Sequence, residues 1–190
     1  MRPAGDGDFW RMSWVNGTNF FSKRFPQAFR IAQNRGEGII IHGTRQWTDY
    51  QVSGDVMLHL GNYGGMAVRA QGLQRYYGAR VTRDGKMQIV RVRDEDTRVL
   101  AEADFSTKFE TAIAMRVSAD GDTIRFEADG IVLTARDASP EALRDGGIGL
   151  VVFLVGAFGF MFAIEKTKES STGVVVLLAF TYIPALTLRG

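Results

Sequence analysis

Between positions 47 and 91 the chain carries a set of side chains whose types suit sugar recognition: Trp47, Tyr50, Tyr63, Arg69, Gln71, Tyr76, Arg80 and Arg91. A sugar ring needs an aromatic surface against its C–H face and planar donors or acceptors against its hydroxyls. Trp47 and the tyrosines supply the first, and the arginines with Gln71 supply the second. Arg69 and Gln71 are two residues apart, as are Tyr76, Gly78 and Arg80. In extended chain each set shares one face. If the strands align, they form one mixed Arg/Gln/Tyr patch in which Gly78 leaves room for a ligand. The competing reading is an ordinary solvated sheet face with Trp47 in the core.

Other chemistries find less to work with. Glycoside hydrolysis with retention needs two carboxylates about 5 Å apart. Glu102 and Asp104 alternate on one face but lack a third partner, and Asp94-Glu95-Asp96 reads as a hairpin loop. His42 and His59 are the only histidines, with no helical metal-ligand spacing, and cysteine is absent. Asp6-Gly7-Asp8 and Asp120-Gly121-Asp122 offer carboxylate oxygens to a structural calcium, well short of the six or more ligands that ion takes. Gly61 to Gly65 precedes no helix and reads as a strand connection rather than a phosphate cradle. No catalytic residue or metal ligand is assigned.

The elements that must position these residues are strands. Asp84-Gly85, Asp120-Gly121 and Asp129-Gly130 each sit between alternating runs, which predicts two-residue hairpin turns with both central residues at positive φ. Met87, Ile89, Arg91 and Arg93 share one face of such a run, and Lys86, Gln88, Val90 and Val92 the other. Asn16-Gly17 is a further hairpin-type pair. Strands are expected near 29–34, 38–44, 66–71, 75–82, 86–93, 97–103, 110–118, 122–129, 131–136, 148–154 and 158–165. Ile39, Ile40 and Ile41 in succession predict a strand covered on both faces. Ser139-Pro140 could open a single helical turn. With no long amphipathic period, the fold class is all-β, an antiparallel two-sheet jelly-roll sandwich.

The chain has 190 residues, 45% hydrophobic, enough for one packed domain. Its formal charge of +2 gives no electrostatic case for nucleic acid. Met1 to Asp8 contains no apolar run, so it does not read as a signal peptide, and a cysteine-free chain fits the cytoplasm. The expected division is a sandwich over 1–166 and an apolar tail over 167–190. Gly146 to Ile164 and Ser170 to Leu188 are both free of charged residues. Each is long enough to cross a bilayer as a helix, although the first also suits buried strands and Pro184 interrupts the second. Membrane or partner contact through the tail therefore stays open.

Several longer strings carry a resemblance. They are Phe29 to Gly38, Gly43 to Tyr50, Gly64 to Leu73 with Arg75-Tyr76-Tyr77, Ala128-Asp129-Gly130 and Gly146 to Val152. Together they resemble concanavalin A-like (laminin-G-like) jelly-roll modules. More narrowly, they are similar to the β-rich module C-terminal to bacterial ADP-ribosylglycohydrolase catalytic domains. The likeness covers roughly residues 28–155. It implies a noncatalytic accessory role: binding carbohydrate, a nucleotide sugar or an ADP-ribose-like ligand, or packing on a hydrolase domain. A glycoside-active sandwich is the alternative, although the glucanase string Glu-x-Asp-x-x-Glu is absent.

Overall fold

The computed structural model describes residues 13–21, 30–59, 61–106 and 110–154, and the backbone of 159–166 and 173–180. The strands, in chain order, are β1 (Val15–Gly17), β2 (Phe20–Phe21), β3 (Ile31–Ala32), β4 (Gly36–His42), β5 (Tyr50–Met57), β6 (Tyr63–Gly72), β7 (Arg75–Thr82) and β8 (Lys86–Arg93). They continue with β9 (Asp96–Asp104), β10 (Ala112–Asp120), β11 (Thr123–Ala128), β12 (Ile131–Arg136), β13 (Gly147–Leu154), β14 (Gly159–Lys166) and β15 (Gly173–Phe180). Seven form one antiparallel sheet in the order β1-β4-β13-β6-β7-β8-β9, and four form the facing sheet, β12-β11-β10-β5. The chain changes sheet at β4–β5, β5–β6, β9–β10 and β12–β13, so sequence neighbours end in opposite layers. This is the jelly-roll sandwich expected from the alternation.

Period two builds the core directly. On β10, Ile113, Met115, Val117 and Ala119 are buried while Ala112, Ala114 and Arg116 are exposed. They meet Met66, Val68, Tyr77, Val81, Met87, Ile89, Leu150 and Val152 of the large sheet. Each large apolar side chain fully withdrawn from water contributes about 1.5–3 kcal/mol. A smaller apolar cluster, with Ile39, Ala67, Tyr76, Val90 and Val151, lies on the other face of that sheet. The three consecutive isoleucines are explained by it: Ile40 joins the main core and Ile39 the second cluster.

The hairpin signals held in position but not all in type. Asp129 (φ 45°) and Gly130 (φ 83°) form the turn with two positive φ values between β11 and β12. Between β10 and β11, Asp120 pairs with Thr123, so the two central residues are Gly121 and Asp122 and only the glycine is left-handed. Between β7 and β8, Val81 pairs with Met87, and only Gly85 of the longer loop is left-handed. Both are glycine-led variants that a longer loop or a one-residue shift produces. Asn16-Gly17 makes no turn: both residues lie within β1, opposite Ile40 and Ile39. Ser139 to Ala142 closes one turn, the Ala142 N–H donating to the Ser139 carbonyl, and goes no further.

The two apolar runs at the end of the chain contain β14 and β15, which pair antiparallel across the expected boundary at 166/167. No helix among the described residues is long and apolar enough to cross a membrane. Residues 181–190, Asp6-Gly7-Asp8 and residues 167–172 lie outside the described residues.

Candidate functional site

The expected patch is not one patch. The structure divides its members between one end of the sandwich and the outer face of the large sheet, and three of them, Arg69, Tyr76 and Arg91, are buried.

Arg69 is turned inward, with only 2% of its surface exposed. A register shift between β6 and β7 separates Val68 from Gly72, and Arg69 adopts φ 49° within it, which reverses the alternation. Its Nε donates to the Thr48 carbonyl (3.1 Å) and its Nη1 to the carbonyls of Gly121 (2.7 Å) and Leu143 (3.0 Å). Nη2 meets Asp49 Oδ1 at 3.0 Å. The Arg69 N–H donates to Tyr50 Oη (2.6 Å), and Tyr50 in turn lies within hydrogen-bond reach of the Gly146 and Gly147 carbonyls. Burial pushes the Tyr50 phenol up to about 12, against the backbone hydrogen bond and the charge of Arg69. Arg69 and Tyr50 thus clamp three loops at one end of the sandwich. Gln71 is occupied nearby, its Nε2 donating to Asp145 O and Oδ1, both at 3.1 Å.

Arg91, expected among the ligand contacts, is also interior, on the face it shares with Met87 and Ile89. Its Nη1 donates to Asp137 Oδ2 (2.9 Å) and Ser139 Oγ (2.5 Å). Tyr77 Oη donates to the same Asp137 oxygen (2.7 Å) and accepts from the Leu143 N–H. Burial raises the Asp137 carboxyl, but hydrogen bonds from Ser139, Tyr77 and Arg91 outweigh it and hold the group at about 2.

The outer face of the large sheet retains Tyr63, Tyr76 and Arg80 and adds Glu37, Gln88 and Glu102. Strand register explains the grouping: Arg80 stands opposite Gln88, and Gln88 opposite Glu102. Arg80 Nε donates to Gln88 Oε1 (2.8 Å), and Gln88 Nε2 donates to Glu102 Oε2 (2.6 Å). The guanidinium lies 3.9 Å above the Tyr63 ring centroid, while Phe153 stacks on Tyr63 at 4.7 Å and 9°. Both faces of Tyr63 are therefore taken, and it serves as a seat for Arg80 rather than a plate for a sugar. Tyr63 Oη donates to Glu37 Oε2 (2.6 Å) and Tyr76 Oη to Glu37 Oε1. Burial first, then the Glu37 charge, pushes both phenols far above their ordinary range, so they stay protonated donors. Tyr76 is buried, and a Cβ on Gly78 would meet its ring and Val90. The room expected beside Gly78 is thus filled. Arg80 and Gln88 remain part-exposed, and no ion pair reaches Arg80 among the described residues.

The remaining sequence candidates are surface or structural. Glu102 and Asp104 flank Lys86, at 4.0 and 2.6 Å. His42 Nδ1 contacts the Ser13 carbonyl at 2.7 Å, and His59 lies 4.0 Å from Glu110. Among the described residues no group of three or more metal-ligating side chains comes together. Gln88 was legible in principle, because a loop centred on Asp84 sets residue 88 against residue 80. Glu102 was not, since a bulge between Ile89 and Val90 shifts its register.

No protein-family model matches the sequence, and no curated protein matches it. Among solved structures it is similar to the carbohydrate binding module CBM66 from Bacillus subtilis. The TM-score is 0.67 at 16% identity, over 87% of this chain and 95% of that one. The fold is a lectin-like jelly roll. A Bacillus subtilis protein of unknown function with a galectin-like fold is similar at TM-score 0.55 and 11% identity, over 95% of this chain and 91% of that one. The lectin-like sandwich here thus presents one oriented guanidinium beside an amide and a carboxylate, on the outer face of its larger sheet.

Proposed function

We propose that the protein is a noncatalytic carbohydrate-binding module whose ligand docks on the outer face of the large sheet. The observation that carries this reading is the Arg80–Gln88–Glu102 row, with Arg80 fixed on Tyr63. Each sugar hydroxyl donates and accepts at once, so neighbouring hydroxyls are best met by a donor beside an acceptor. Arg80 offers the donors, and Glu102 and Gln88 the acceptors, already ordered before a ligand arrives. The shared fold with a carbohydrate-binding module supports the same ligand class. Fold alone assigns no ligand, so the side chains must carry the argument. Attachment to a hydrolase of the ADP-ribosylglycohydrolase type belongs to the proposal as context.

The test is retardation of the purified chain in native gels containing soluble polysaccharides, beside a calorimetric titration with ADP-ribose. Arg80→Ala should weaken retention about 10- to 100-fold, the loss of one or two charged hydrogen bonds. Retention untouched by Arg80→Ala, or binding of ADP-ribose with no polysaccharide retained, would overturn the reading.

A further inference from the structure

A second place on the molecule has the composition of a sugar site and shares no residue with the first. Where the chain leaves β4 for β5, Trp47 is 39% exposed, unusual for so large an apolar side chain. Its position is nonetheless fixed. A Cβ on Gly43 (φ 112°) would strike the six-membered ring at 2.6 Å, so the indole packs directly on glycine backbone. Tyr50 and His42 meet it edge-on, at 5.9 and 6.2 Å between centroids. Beside it opens a cleft of about 500 Å³, lined by Gln46, Trp47, Asp49, Tyr50, Gln51 and Ile148 among others.

The Tyr50 hydroxyl is engaged by the Arg69 N–H and the Gly146 and Gly147 carbonyls, but other polar groups of this cleft are unspent. Asp49 engages Arg69 and the Gly121 N–H through Oδ1 alone, leaving Oδ2 without a hydrogen bond among the described residues. The exposed amides of Gln46 and Gln51 make no side-chain hydrogen bond there either. An ordered indole with planar donors and acceptors on its flank is what a sugar ring requires: C–H face on the ring, hydroxyls at the rim. Ile148 and His42 stand opposite each other and alternate with Gly149 and Ile41, on the side of the sheet that Ile40 and Leu150 also face. The cleft therefore lies on the other side of the large sheet from Arg80.

We infer that the Trp47 cleft is a second carbohydrate site, taking a neutral hexose ring on the indole, and that the module is bivalent. This takes its ligand class from the proposed function but does not depend on Arg80. Two separate sites join separate polysaccharide chains, or two stretches of one, and raise avidity by making the second event local.

The experiment is a titration of the full chain with gluco-, manno-, galacto- and fructo-hexasaccharides, read by calorimetric stoichiometry and tryptophan fluorescence. The expected result is two ligands per chain and a saturable fluorescence change. Trp47→Ala should leave one ligand and no fluorescence change, and Arg80→Ala one ligand with the change intact. Gln46→Ala with Gln51→Ala, both exposed, should weaken the fluorescent site at least 10-fold, which keeps the test alive if Trp47→Ala does not fold. A single ligand abolished by Arg80→Ala, or a fluorescence change that survives Trp47→Ala, overturns the second site and leaves the first. No binding by any sugar overturns both.

Discussion

At the scale of single residues, identical side-chain types have opposite fates here. Arg80 sits part-exposed on an aromatic seat, whereas Arg69 and Arg91 are interior and hold loops together. Arg69→Ala removes donors to three carbonyls and Asp49 at once. It should destabilise the fold by about 3–5 kcal/mol, because the acceptors left behind are partly buried. Arg69→Lys should recover little, since an ammonium cannot reproduce the fork. Urea denaturation would measure both, and Arg80→Ala should change the midpoint only slightly in the same assay.

Asp137 supplies a pH prediction at this scale. Its folded value of about 2 lies below the ordinary 3.8, so the charged form is favoured in the native state. The resulting stabilisation, about 2 kcal/mol, is complete above roughly pH 4 and disappears as pH falls through 2. Asp137→Asn should lower stability at pH 7 and flatten the acid limb of the stability curve. Denaturation midpoints of both proteins at pH 7, 4 and 2 would show it, and parallel acid limbs would refute it.

At the scale of elements, the decisive contacts are between strands that lie close. β6 approaches β7 so nearly at Gly65 that a Cβ there would collide with the Ala79 carbonyl. Gly65→Ala should force the two strands apart and cost about 2–4 kcal/mol, with disturbance reaching Arg80, which pairs with Gly65. A Gly65→Ala chain as stable as wild type would mean that β7 shifts freely. Gly130→Ala offers a contrast: no atom lies near its Cβ, yet φ 83° makes any side chain strained, for about 1 kcal/mol.

At the scale of the whole molecule, the large sheet closes only when β13 inserts between β4 and β6, pairing Val151 with Ile39 and Gly65. Those partners lie on the order of a hundred residues away in the chain, so loop closure comes before any reward. Refolding should take milliseconds to seconds rather than microseconds, as stopped-flow tryptophan fluorescence would show. If the proposed function holds, polysaccharide should raise the melting temperature with concentration, because a ligand held only by the closed sandwich stabilises it.

Much of this architecture was determined by local chemistry in the sequence. Alternation marked β6 to β12 to within a few residues, and the three Asp-Gly pairs located their turns. Both follow from short-range rules, the two-residue side-chain period and the left-handed preference of glycine. The same alternation already set Arg91 beside Met87 and Ile89, so its burial was legible. Arg69 was not: the bulge in β6 and its own positive φ turn it from the outer face to the interior. Nor was the pairing of Tyr63 and Tyr76 with Glu37, which lies two strands from Tyr63 in the sheet and three from Tyr76. Which strand lies beside which, and where a bulge shifts the register, is fixed by long-range packing. That packing, not the residue types, decided that Arg80 faces outward while Arg69 is spent on the fold.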